Sequence, residues 1–161
     1  MATTPKIKHL LQLYRISREK YAKRLSASGV AGRWNLTGEH VLYTSQSRSL
    51  AALELLAHRS AIRPKDYAYK IMVIELQAPK AALEIVNLDH LPNNWRTLEA
   101  YPALQKMGSI WYQASKDLVL KVPSVLIPQE YNYVINFHHP DFARSIALQA
   151  VEGFFWDRRL L

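Results

Sequence analysis

The sequence predicts an α+β fold in one domain, 1–161, and three observations lead there. Short apolar, β-branched runs of strand length recur between turn residues, among them Val41–Thr44, Tyr69–Leu76, Leu118–Val122 and Tyr131–Ile135. One apolar stretch, about Ser47 to His58, follows hydroxyl residues suited to helix capping. No repeat, heptad or low-complexity tract interrupts the order, and 161 residues, 49% hydrophobic, suffice for one core.

Taken in order, Leu11–Ile16 reads as a first strand, and Ser17–Leu25 as a basic turn of helix or a loop. Thr37-Gly38 forms a turn before the strand at Val41–Thr44, and the helix at 47–58 follows directly. Arg63–Asp66 marks a loop; Tyr69–Leu76 alternates as a strand, and Ala82–Val86 is an edge element. Trp95, Leu98, Tyr101 and Leu104 lie at near-helical spacing within 94–107, with Pro102 limiting a continuous helix and Met107-Gly108 marking its end. Ile110–Ala114 adds a short helix. Leu118–Val122 stops at Pro123, Val125–Ile127 and Tyr131–Ile135 read as further strands, and Ser145–Phe155 is the last.

Composition narrows the chemistry. With no cysteine, disulfides, thiolate metal sites and a cysteine nucleophile are excluded. No apolar run approaches the roughly 20 residues that span a bilayer, so a soluble, cytoplasmic protein without membrane association is expected. The net charge of +8 is uneven: residues 1–70 carry 13 Lys plus Arg against 4 acids, and residues 71–161 carry 8 against 9. That asymmetry suits an anionic partner, whether nucleic acid, small molecule or acidic protein, and equally a solvated cationic surface.

The most informative residue is Glu54, a carboxylate inside the apolar run from Leu50 to Ala57, which must be solvated, paired or used. Between Ala31 and His58 it shares a short span with Arg33, Trp34, Tyr43 and Ser45, a grouping suited to a planar, phosphorylated ligand. Arg33 has a fork that binds phosphate or ribose oxygens, and Gly32 beside it permits close backbone approach. Arg15 is a second cation of this kind. The bland readings stand beside these: exposed ion pairs for the arginines, core for Trp34 and Tyr43, a turn for Asn35, a cap for Ser45. Ser124 lacks a Gly-x-Ser-x-Gly elbow and a recognisable His–Asp pair, so it reads as a turn residue or an orienting hydroxyl, not a covalent nucleophile. Adjacent His138 and His139 point in different directions in an extended chain, so no metal site is expected there; Lys121 and Arg158-Arg159 read as solvated charges.

Gly32-Arg33-Trp34-Asn35, Tyr43-Thr44-Ser45, Leu53-Glu54, Val122-Pro123-Ser124, Tyr131-Asn132-Tyr133 through Asn136, and His139-Pro140-Asp141 occur in this order. Together they resemble the RES-domain family, and the resemblance runs from Tyr14-Arg15-Ile16 to Asp157, Arg159 and Leu160. Two departures stand out: Ala31-Gly32 replaces the family's usual small pair, and His138 stands where arginine is common, removing a permanent charge.

The resemblance implies an ADP-ribosyltransferase-like fold, two small packed β-sheets with flanking helices around an NAD cleft. It implies the toxin of a bacterial type II toxin–antitoxin pair, with an Xre-type antitoxin as partner and nucleic acid met only through that antitoxin. The implied reaction breaks the nicotinamide–ribose bond of NAD, a substrate and not a cofactor. Water or inorganic phosphate accepts ADP-ribose; transfer to a protein is the alternative, and a basic nucleic-acid-binding module the reading from another class. Glu54, Arg33 and Ser124 are then catalytic candidates, with Glu54 stabilising an oxocarbenium-like ribose. Arg15, Trp34, Asn35, Tyr43, Ser45 and Asn132 are the candidates for binding NAD.

Overall fold

Alternation in the first strand sets up the architecture. In the computed structural model, which describes residues 9–58, 68–78 and 83–160, strand β1 (His9–Arg18) points Leu11 and Leu13 to one side, Tyr14 and Ile16 to the other. Strands β2 (Val41–Ser45), β3 (Tyr69–Ala78), β4 (Leu83–Ile85), β5 (Val119–Pro123), β6 (Tyr131–Asn136) and β7 (Ile146–Phe154) complete a seven-stranded sheet in the order β4-β5-β6-β2-β1-β3-β7. Neighbours are antiparallel except β4 and β5.

The sheet has a weak seam. β1 pairs with β3 along its whole length, from His9↔Ala78 to Arg18↔Tyr69, but meets β2 through the single pair Tyr14↔Ser45. The two small sheets implied by the resemblance are therefore the halves β4-β5-β6-β2 and β1-β3-β7 of one sheet. Leu13, Met72, Ile74 and Ile146 from one half pack with Leu42, Val119 and Ile135 from the other in a shared core. The opposite face of β1 and β3, with Ile16, Ile71 and Val73, is covered by Ala51 and Leu55 of helix α1 (Arg48–Ala57). The opposite face of the other half, with Val41, Leu120, Val122 and Val134, is covered by Leu104 and Trp111 of helix α2 (Tyr101–Ala114), together with Trp34 and Trp95.

Helix α1 matches its expected span, with Ser47 and His58 as caps. Helix α2 corrects the reading of 94–114. Pro102 occupies the first turn, where a missing N–H costs nothing, so it starts the helix that it was expected to limit. Trp95 and Leu98 precede it in turns and a short 3-10 segment, and Gly108 lies inside it, not at its end. The end is Ser115, at a left-handed φ of 48°, whose N–H donates to the carbonyls of Trp111 and Tyr112. Gly108 has a packing reason: a Cβ there would sit 1.7 Å from the Trp34 carbonyl oxygen. The segment Arg63–Asp66, expected as a loop, lies outside the described residues.

Ser17–Leu25 holds a 3-10 turn at Glu19–Tyr21 and loop residues after it, as expected, with Ser17 and Arg18 belonging to β1. Two smaller expectations change. Val125–Ile127 is a turn and not a strand, because the Ser124 hydroxyl takes the N–H groups of Leu126 and Ile127 at 3.1 and 3.2 Å. Lys121 is half-buried with its Nζ 4.2 Å from the centre of the Tyr131 ring, so it is not simply solvated. A short helix α3 (Phe142–Ser145) leads into β7.

Candidate active site

The junction of β2 and α1 carries the first group of residues. Ser47 Oγ accepts from Leu50 N–H at 3.1 Å and starts the helix, which buries Leu50 and Ala51. Glu54 stands one turn beyond Leu50 on that inward side and is half-buried. Arg48 ties the helix start to β7 through Glu152, at 2.6 and 3.1 Å, and lies 4.5 Å over the Tyr14 ring at the seam. Donation from Arg48 holds the Glu152 carboxyl below its ordinary pKa.

The carboxylate of Glu54 is not left alone. Its Oε1 accepts from Ser124 Oγ at 2.7 Å and from Asn132 Nδ2 at 2.7 Å, while Asn132 Oδ1 accepts from Ser45 Oγ at 2.7 Å. Oε2 receives no hydrogen bond from the described residues. Ser124 is fully buried, gives its proton to Glu54 and has its oxygen occupied by two backbone donors. A hydroxyl committed in this way orients the carboxylate and is not a free nucleophile.

A second group surrounds Tyr43, two residues before Ser45 in β2. Arg15 donates to the Tyr43 carbonyl at 3.1 Å, meeting a backbone acceptor beside the seam where the β1–β2 ladder gives out. Burial lowers its guanidinium pKa. Arg33 donates to the Trp95 carbonyl at 3.2 Å and lies 4.5 Å over the Tyr101 ring. Neither arginine pairs with a carboxylate among the described residues. Two partly enclosed guanidinium groups without acidic partners favour an anion. Tyr101 and Trp95 carry no motif, and sequence reasoning missed them; the paired aromatic and carbonyl contacts come from an element more than 60 residues away.

Other expected contacts turn inward. Trp34 is 3% exposed and belongs to the core against α2. Asn35 is fully buried; its Nδ2 serves the carbonyls of Val30, Leu36 and Glu39, and its Oδ1 accepts from the Tyr43 hydroxyl at 2.5 Å. That hydroxyl also accepts from Trp34 N–H at 3.0 Å, and burial pushes the phenol pKa upward, so Tyr43 stays protonated. Tyr43 Oη is thus spent on the loop and not on a ribose. Gly32 allows it: a Cβ there would lie 2.6 Å from Tyr43 Oη. Asn35→Ala should cost about 3 kcal/mol, because buried carbonyls and the phenol lose their partner; chemical denaturation measures it, and an unchanged midpoint would refute this role.

The histidine pair divides, though in a turn after β6 and not in an extended chain. His138 stacks on His40 with ring centres 4.7 Å apart, while His139 accepts from Asp141 N–H at 3.0 Å and shapes a turn. Among the described residues no group of three or more His, Cys, Asp or Glu is placed to hold a metal ion. No helix among them is long and apolar enough to cross a membrane.

Comparison with known proteins gives the family of the chain. A RES domain model matches residues 12–157. The chain is 34% identical over 151 residues to a protein of Pseudomonas putida named Toxin Res, covering 92% of this chain and 98% of that one. It is 30% identical over 153 residues to a Toxin Res of Photorhabdus laumondii, covering 92% and 96%. Against the Prs ADP-ribosylating toxin of a Sphingobium species it is 32% identical over 146 residues, covering 87% and 88%. A chain in the crystal structure of the M. tuberculosis MbcT–MbcA toxin–antitoxin complex shares the fold, with a TM-score of 0.73, 16% identity, and coverage of 92% of this chain and 86% of that one. With family match, relatives and fold in agreement, the chain belongs to the RES domain family of toxins.

Proposed function

We propose that this chain is the toxin of a toxin–antitoxin pair and acts by cleaving the nicotinamide–ribose bond of NAD. The observation that carries the reading is Glu54: a carboxylate held through one oxygen by Ser124 and Asn132, with the other unbonded among the described residues. Nicotinamide leaves as a neutral group from a cationic one, so no acid need protonate it. The charge that develops is on the ribose, and a fixed carboxylate stabilises it. Arg15, bonded to the Tyr43 carbonyl, and Arg33, over the Tyr101 ring, are cations without acidic partners among the described residues and suit the pyrophosphate.

Water as acceptor yields ADP-ribose; inorganic phosphate yields its phosphorylated form. A second reading, transfer to a protein side chain, is favoured by the 32% identity to a relative named as an ADP-ribosylating toxin. The fold shared with a chain of a toxin–antitoxin complex supports an antitoxin partner, which we take to be of the Xre type. We place the activity in the cytoplasm, where NAD is met. Product analysis after incubation with NAD, with and without phosphate, separates the acceptors: free ADP-ribose, phosphorylated ADP-ribose, or label carried on protein.

Ser124→Ala gives a sharp test of roles. Loss of one hydrogen bond to a charged group, about 1.5–3 kcal/mol, should slow turnover about 10- to 100-fold. A nucleophile's loss would cost several orders of magnitude more. A drop on that larger scale in single-turnover nicotinamide release would contradict the orienting role.

A further inference from the structure

The bonds from Ser45 to Glu54 have a direction, and the direction follows from chemistry. An ionised carboxylate only accepts, so the Asn132 atom 2.7 Å from Glu54 Oε1 must be the amide nitrogen. The amide oxygen then faces Ser45, and at 2.7 Å the Ser45 hydroxyl must be the donor. Flipping the amide would set two acceptors, Asn132 Oδ1 and Glu54 Oε1, against each other. Ser45 is buried at 4% exposure and is the β2 partner of Tyr14 at the seam, so it is fixed by the one pair that joins the two half-sheets.

We propose that Ser45 is a positioning residue for the cleavage reaction: its hydroxyl holds the oxygen of the Asn132 amide, whose polarity Glu54 dictates, and so fixes in place the amide that with Ser124 saturates Glu54 Oε1 and leaves Oε2 to meet the substrate. This deepens the NAD-cleaving reading and rests on it for its catalytic consequence. Ser45 does not touch the ligand. It acts through two hydrogen bonds, Ser45 to Asn132 and Asn132 to Glu54 Oε1, which leave Oε2 of the delocalised carboxylate to face the ribose. An expectation that Ser45 binds NAD directly is thereby replaced by a role one layer behind the carboxylate.

The test compares Ser45→Ala with Ser45→Thr, which keeps the hydroxyl and suits a strand. Nicotinamide release gives kcat and KM, and the Asn132 side-chain amide resonances in a 15N correlation spectrum report the hydrogen bonds without needing activity. Ser45→Ala should lower kcat about tenfold, leave KM for NAD near the wild-type value, and move the Asn132 amide resonances. Ser45→Thr should restore both. An unmoved amide in a folded Ser45→Ala protein overturns the proposal, whatever the rate. A moved amide with wild-type kcat overturns the catalytic part. If the wild-type protein leaves NAD intact, the NAD reading has failed by itself, and the amide resonances still decide whether Ser45 orients Asn132.

Discussion

Glu54→Gln is expected to stay folded and to lose nicotinamide release by about 10²–10³-fold or more, the scale on which one preorganised electrostatic group acts. The substitution is nearly isosteric. A glutamine carbonyl oxygen can accept from both Ser124 and Asn132, which now bond Oε1 at 2.7 Å, while its amide nitrogen replaces Oε2. The scaffold therefore persists, and what disappears is the negative charge that the proposed reaction sets against the ribose. KM for NAD should move far less than kcat, because the interaction that is lost develops in the transition state. Chromatographic assay of nicotinamide checks the rate, and a thermal melt checks the fold. A Glu54→Gln protein that turns over NAD within a few-fold of wild type would remove Glu54 from the chemistry.

The largest stability effect outside the polar network is expected from Gly108→Ala. Within an exposed helix this change stabilises by about 1 kcal/mol. Here the new Cβ would lie 1.7 Å from the Trp34 carbonyl oxygen and 2.6 Å from its carbonyl carbon, both backbone atoms that no rotamer change can remove. Overpacking of this severity exceeds about 3 kcal/mol. The net loss should be about 2 kcal/mol or more, or a fall in Tm of roughly 4–8 °C for a chain of this size. The displaced loop also carries Arg33, so affinity for NAD should fall with stability. Differential scanning calorimetry measures the first; a Tm at or above wild type would show that helix and loop do not approach so closely.

How far the sequence was legible depended on whether the cause was local. Helix α1 was readable because its start is a serine cap and its inward face an apolar run, both within twelve residues. The strands were readable from β-branched and apolar runs. Pro102 and Gly108 were misread because their local meaning, breaker and stop, was overridden by position: one sits where a helix needs no N–H, the other where another backbone passes. The seam at Tyr14↔Ser45 has no sequence signature, since it records where two strands part. In the site, Glu54, Ser124 and Asn132 were singled out from 70 and 78 residues apart, and the structure joins them. Trp34 and Asn35 were selected with Arg33 from one motif, but neighbours in a tight loop face opposite ways. Arg33 reaches Tyr101, while Trp34 enters the core and Asn35 ties the loop together.

The proposed reaction needs only a small set of groups. Departure of a neutral leaving group asks that the sugar be held and its growing charge met, and Glu54, braced from β6 and from the turn after β5, suits that task. Arg15 and Arg33 are left without acidic partners among the described residues, while Arg48 is paired with Glu152.

The most direct measurement is nicotinamide release from NAD by the purified wild-type chain, free of any antitoxin, in buffer, in phosphate, and with protein acceptors from a dialysed bacterial lysate. Stoichiometric loss of NAD and appearance of nicotinamide in at least one mixture, abolished by Glu54→Gln, is the predicted result. Intact NAD in all three mixtures, from protein shown to be folded, would contradict it.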